Sequence, residues 1–140
     1  MITIKKQEII KLEDVLHLYQ AVGWTNYTNQ PQMLEQALSH SLTTYLARDG
    51  EEIVGLVRLV GDGFSSVFVQ DLIVLPSYQR QGIGSSLMKE SLADYKDAYQ
   101  IQLATEQTEK TLGFYRSLGF ETLSTYDCTG MIWVDRKKFK

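Results

Sequence analysis

The stretch from residue 64 to 103 constrains the fold of this chain more than any other. Residues 64 to 75 read as a long strand whose core-like run Leu72-Ile73-Val74-Leu75 implies cover on both faces and stops at Pro76. A polar loop follows, and from Gly82 the apolar positions Ile83, Leu87, Met88, Leu92 and Tyr95 fall on one helical face. Tyr99, Ile101 and Leu103 then alternate as another strand. Strand, helix and strand in succession require a parallel pair joined by a right-handed crossover.

Hairpins precede that unit. Residues 43 to 48 and 52 to 60 read as strands joined by Asp49-Gly50, a dipeptide suited to the positive φ angles of a tight turn, and Gly61-Asp62-Gly63 supplies the next turn. Near the start, residues 2 to 5 fit a short strand, and Leu12, Val15, Leu16, Tyr19 and Val22 repeat with helical spacing until Gly23. A second helix fits residues 31 to 39, with Pro31 in its first turn. Residues 108 to 118 predict another helix, ended by Gly119, and strands are expected near 120 to 124 and 128 to 134. The order is βααβββαβαββ, an α+β class with a mixed, mostly antiparallel sheet and about four helices. Pro31 and Pro76 are the only prolines and no linker interrupts the pattern, so residues 1 to 140 are expected to form a single domain. With 44% hydrophobic residues such a chain has ample material for a core.

Charge and cysteine content narrow the function. Fourteen Lys and Arg against seventeen Asp and Glu leave a net charge of −3, which argues against nucleic acid and a polybasic membrane surface as partners. No apolar run approaches the roughly 18 residues of a membrane span, and the first residues lack the pattern of a secretory signal, so a cytoplasmic protein is expected. Cys128 is the only cysteine, and with His17 and His40 beside it no metal cluster is evident; no metal is expected.

The chemistry concentrates in Tyr78-Gln79-Arg80-Gln81-Gly82-Ile83-Gly84-Ser85, between buried strand and amphipathic helix. Gly82 and Gly84 let the main chain approach a ligand, and the unpaired amides at the helix start favour an anion such as a pyrophosphate. Arg80 can add a charge-assisted contact. A dinucleotide fingerprint would need a third glycine where Leu87 stands, and a phosphate-binding P-loop would need Gly-Lys-Ser/Thr. Both absences make a nucleotide binder the weakest reading.

Gln79-Arg80-Gln81-Gly82-Ile83-Gly84, after Asp71-Leu72-Ile73-Val74-Leu75-Pro76, resembles the acetyl-CoA signature of the GNAT superfamily of N-acetyltransferases. Phe114-Tyr115-Arg116-Ser117-Leu118-Gly119-Phe120 is similar to that family's later block, and the element order matches its fold over nearly the whole chain. The resemblance implies acetyl-CoA as co-substrate and a parallel strand pair that splays apart. It implies that amides from Gln81 to Ser85, with Gln79, Arg80, Gly82, Ile83 and Gly84, hold the pyrophosphate. Leu72, Ile73 and Val74 would bond the pantetheine arm, with Phe114 also on the cofactor side. It further implies that Tyr115 is the general acid for the departing thiolate in a direct, ternary-complex transfer to a primary amine. On residue type alone, Tyr115 reads first as a core aromatic on its helix, beside Phe114 and Leu118.

An amine must lose a proton before attack, and Asp71 and Glu106 are the candidate bases. Asp71 is equally consistent with a structural carboxylate, and Glu106 with a solvated one or a helix-start residue. Where many family members carry Asn, this chain reads Thr105-Glu106-Gln107-Thr108-Glu109, so that role does not carry over. On the acceptor side the candidates are Trp24 and Tyr27, with Arg58 for an acidic group or a surface ion pair. Val22-Gly23-Trp24, the Asp71 segment, the glycine loop and Gly130-Met131-Ile132-Trp133 together are similar to the plastid and cyanobacterial arylalkylamine, serotonin-type, branch. That implies an aromatic or hydrophobic amine of small-molecule or peptide type, although tryptophans commonly serve packing. The late strands offer a dimer edge, so monomer and homodimer are both carried. Two rivals stand beside the enzyme: a catalytically silent acyl-CoA-binding regulatory or interaction module, and a covalent acetyl carrier at Cys128.

Overall fold

In the computed structural model, which describes residues 1–133 and 135, five strands form one sheet in sequence order. They are β1 (Ile2–Lys6), β2 (Thr43–Asp49), β3 (Glu52–Gly61), β4 (Ser66–Val74) and β5 (Gln100–Leu103). The first four pair antiparallel, and β4 pairs parallel with β5. The helices are α1 (Leu12–Ala21), α2 (Thr25–Thr28), α3 (Pro31–Ser39), α4 (Ile83–Asp94) and α5 (Glu109–Ser117). This is the α+β class with the mixed, mostly antiparallel sheet that the sequence predicts. The chain divides into two compact units, Met1–Ala104 and Thr105–Lys140. The sheet and the first four helices belong to the first unit, and α5 to the second.

As the middle strand, β3 is buried without interruption from Val54 to Leu59. On one face Leu46, Leu56 and Ile73 pack with Val15, Leu18 and Tyr19 of α1 and with Leu34 and Leu38 of α3. On the other lies α4, whose Ile83, Leu87 and Met88 are buried. Each fully buried aliphatic side chain contributes about 1.5–3 kcal/mol through removal from water, so this two-sided burial is what holds the sheet.

Three parts depart from the sequence expectation, each for a local reason. Residues 64 and 65 are loop rather than strand, because the Asp62 carboxylate accepts the amides of Phe64, Ser65 and Ser66 at 2.7, 2.8 and 3.1 Å. That bonding competes with the ladder and delays β4 to Ser66. The single-turn α2 is too short to leave a periodic apolar pattern. The strands expected over 120–124 and 128–134 do not form among the described residues; position 134 lies outside them. Instead Leu123–Tyr126 is a 3₁₀ turn, with the Thr122 hydroxyl bonded to those of Ser124 and Thr125 and Asp127 left-handed at φ 57°. Hydroxyl bonding of this local kind offers the backbone an alternative to strand pairing.

Gly61 ends β3 with φ +129°, and a Cβ there would sit 2.3 Å from the Ser66 carbonyl oxygen. Gly61→Ala is therefore expected to lower stability by at least about 2 kcal/mol, because strained backbone and a clash with fixed main chain add. Urea denaturation measures this; a change below about 0.5 kcal/mol, the range of ordinary surface substitutions, would show that the turn relaxes freely.

Candidate active site

β5 covers β4 only from Ser66↔Gln100 to Val69↔Leu103, whereas β3 stays paired with β4 as far as Val74. Leu72, Ile73 and Val74 thus form a strand edge with no partner on the β5 side among the described residues. The chain then passes through a 3₁₀ turn, Pro76–Tyr78, into the glycine loop. Arg80 and Gly82 are both left-handed, at φ 66° and 80°, and Gly82 is the N-cap of α4. Left-handed residues in such a loop aim successive amides into a concavity suited to an anion. The Ser86 amide is the first to find its helical partner, Gly82 O at 3.0 Å, which leaves the amides of the first turn for a ligand. Gln79, Arg80, Gln81 and Gly82 are exposed; Gly84 and Ser85 are half-buried and Ile83 is buried. Tyr78 fixes the entry to this loop by donating to Asp49 Oδ2 at 2.8 Å, at the β2–β3 hairpin. Hydrogen bonds from Tyr78 and the N-terminal amine hold the Asp49 carboxyl below its ordinary range.

Asp71 and Arg58, opposite each other on β4 and β3, are 2% and 4% exposed. The ion pair considered for the surface is therefore internal: Arg58 Nε donates to Asp71 Oδ2 at 2.7 Å. Tyr19 of α1 donates to the same oxygen at 2.9 Å, and Tyr27 of α2 to Oδ1 at 3.0 Å. The rest of the guanidinium reaches Ala37 O at 3.4 Å, Ser41 Oγ at 3.3 Å and Tyr27 Oη at 3.4 Å. Among the described residues no buried side-chain nitrogen or oxygen lacks a partner. Burial pushes the Tyr19 and Tyr27 phenols up, and the Asp71 carboxylate adds to both shifts. For Arg58, burial opposes the charge, and Asp71 together with Tyr19 and Tyr27 more than offsets it, so its pKa lies above the ordinary value. Around the pair stand Tyr19, Trp24 and Tyr27, with ring centroids 5.2 to 6.2 Å apart. Thus Trp24, Tyr27, Arg58 and Asp71, all singled out in the sequence, meet in one cluster.

In the second unit α5 is capped by Thr108, whose hydroxyl accepts the Thr111 amide at 3.2 Å, and ends before Gly119 at φ 97°. Tyr115 is half-buried between Phe114 and Phe120, at centroid distances of 4.9 and 5.9 Å. Burial pushes its phenol above the ordinary value, while a hydrogen bond with the Thr105 side chain pulls the other way. Glu106 and Cys128 are exposed.

The family model for the acetyltransferase (GNAT) domain matches residues 40–122, which span the sheet from before β2, the glycine loop and α5. The chain belongs to the GNAT family. Among its GNAT relatives, serotonin N-acetyltransferase 2, chloroplastic, of Oryza sativa subsp. japonica is 33% identical over 95 residues, 65% of this chain and 48% of that one. The chain therefore spans about half the length of that relative. A solved GNAT acetyltransferase from Streptococcus pneumoniae TIGR4 is 80% identical, with 97% of this chain and 99% of that one covered and a TM-score of 0.90. The same fold recurs, at 24% identity and a TM-score of 0.63, in a GNAT acetyltransferase from Elizabethkingia anophelis with acetyl-CoA bound, over 86% of this chain and 76% of that one.

Two polar contacts of this GNAT chain escaped the sequence reading. Tyr19 looks like one more member of the apolar stripe of α1, and only the rule that a buried tyrosine needs a partner for its hydroxyl could have flagged it. The Tyr78–Asp49 bond joins a loop to a hairpin 29 residues away and leaves no local signal. Among the described residues no group of three or more His, Cys, Asp or Glu could hold a metal, and no helix is long and apolar enough to cross a membrane.

Proposed function

We propose that this chain is an acetyl-CoA-dependent N-acetyltransferase that moves the acetyl group directly to a primary amine. The observation that carries this reading is the open β4 edge at Leu72–Val74 running into the loop with left-handed Arg80 and Gly82. The loop offers amides and a cation to a pyrophosphate, and the edge offers main-chain groups to an amide-containing arm. Those residues fit acetyl-CoA, which supplies a thioester as the acyl donor. The acetyl-CoA held by the relative of the same fold supports the assignment.

We assign Tyr115 as hydrogen-bond donor to the leaving sulfur. With its phenol above the ordinary value, it stays protonated at neutral pH. Against a thiol reference of about 8.5, full transfer from a phenol of about 10 is uphill by roughly 2 kcal/mol, so stabilisation of growing charge is its main contribution. The amine must shed a proton at a cost of about 4 to 5 kcal/mol at pH 7 for an alkylammonium. Asp71 has its bonds directed at Tyr19, Tyr27 and Arg58, so we assign proton removal to the exposed carboxylate Glu106. Glu106→Gln is expected to lower kcat/KM by about a hundredfold or more, the low end for a lost general base, with the loss shrinking as pH rises toward the amine pKa. A pH-independent loss, or none, would remove Glu106 from that role.

The half-buried Trp24 and Tyr27 rings favour an arylalkylamine as acceptor, in keeping with the rice relative, a serotonin N-acetyltransferase. The test is thiol release from acetyl-CoA against aromatic amines, polyamines, amino acids and peptides. Turnover is expected to be fastest with the aromatic amines. Saturable acetyl-CoA binding with no amine-dependent release would favour the silent binding module.

A further inference from the structure

Two discontinuities and a buried carboxylate coincide within three residues of β4. Parallel pairing with β5 ends at Val69, the β3–β4 register shifts so that Gln70 is an extra residue, and Asp71 is the first residue beyond it. At that point lies the most deeply buried charge in the sheet, the Arg58–Asp71 pair. We propose that this pair, with Tyr19 and Tyr27, is a register pin that holds the β4 bulge and thereby positions the Leu72–Val74 edge; its link to ligand rests on the function proposed above.

A bulge interrupts the ladder, so backbone bonding alone defines the register weakly there. Side chains must supply the missing specification. A one-residue slip of β4 would set Gln70 or Leu72 opposite Arg58 and leave the buried guanidinium without its carboxylate. Apolar residues of the same volume could fill the space but could not forbid the slip. The pin is also tied to the helices: Tyr19 comes from α1, Tyr27 from α2, Ala37 from the last turn of α3 and Ser41 from just beyond it. The helical face with Trp24 and Tyr27 and the departing strand are thus held by one set of bonds. Arg58, Asp71, Tyr19 and Tyr27 act here through the backbone as positioning residues.

The test uses two mild variants, Tyr27→Phe, which removes one half-exposed hydroxyl, and Arg58→Lys, which keeps the charge but loses the fork. Hydrogen exchange of the free protein is the first readout. Amides 70–74 are expected to exchange about tenfold faster, with those of 66–69 within about twofold, as local rather than global opening requires. The second compares CoA with its nucleotide half, adenosine 3′-phosphate 5′-diphosphate, which lacks the pantetheine arm. CoA should bind about five- to tenfold more weakly and the nucleotide half within about twofold of wild type, because only the arm meets the strand edge. Equal weakening of both ligands, uniform acceleration of exchange, or no change in either readout would overturn the pin. Wild type failing to bind CoA would instead overturn the proposed function, with the exchange pattern still deciding the pin.

Discussion

Tyr115→Phe is expected to lower kcat by about a hundredfold or more while acetyl-CoA binding changes little, the size of effect a positioned proton donor supplies. The substitution keeps the ring between Phe114 and Phe120 and removes only the hydroxyl that meets Thr105. A loss through misfolding is thereby separated from a loss of chemistry. Because burial raises this phenol, its deprotonation should limit the wild-type rate only above about pH 10, and that alkaline fall should vanish in the variant. An acetyl thioester whose thiol is a better leaving group needs less help, so the penalty should shrink with an aryl thioester. Unchanged kcat with acetyl-CoA would return Tyr115 to the role of a packing aromatic.

Arg58→Met is expected to destabilise the protein by about 3–5 kcal/mol, the range for breaking a buried ion pair from one side. Arg58 is 4% exposed and Asp71 2%, so solvent cannot replace the lost partner of Asp71. Replacing both, as Arg58→Met with Asp71→Leu, should cost less than Arg58→Met alone, since no buried charge is then stranded. Some loss remains, because the Tyr19 and Tyr27 hydroxyls lose their common acceptor. Urea denaturation of the singles and the double gives the coupling. A cost below about 1 kcal/mol for Arg58→Met, a value typical of exposed pairs, would mean that water reaches the site.

Much of the fold was legible because it follows from local pattern. Asp49-Gly50 marked the β2–β3 hairpin, Pro31 the first turn of α3, and strand–loop–helix–strand the parallel crossover. Strongly periodic or turn-specific segments carry their structure in neighbouring residues. What was illegible depends on partners distant in sequence or on side chains competing with the backbone. A strand is expected near 128–134, yet Thr122, Ser124 and Thr125 make their own hydroxyl bonds upstream and no strand forms there among the described residues. Likewise, Arg58 and Asp71 could be marked as candidates one at a time. Their pairing required the register across a bulge, which is set by the assembled sheet.

The central claim is direct acetyl transfer, and following a labelled acetyl group tests it most directly. Protein is loaded with acetyl-CoA carrying a labelled carbonyl carbon, chased with an aromatic amine, and both product and protein are weighed by mass spectrometry. The account expects the label in an amide of the amine, with one free CoA thiol per amide and no acetyl group left on the protein. Label that first accumulates on Cys128 and then turns over, or acetyl-CoA that stays bound and intact through the whole amine panel, would contradict it.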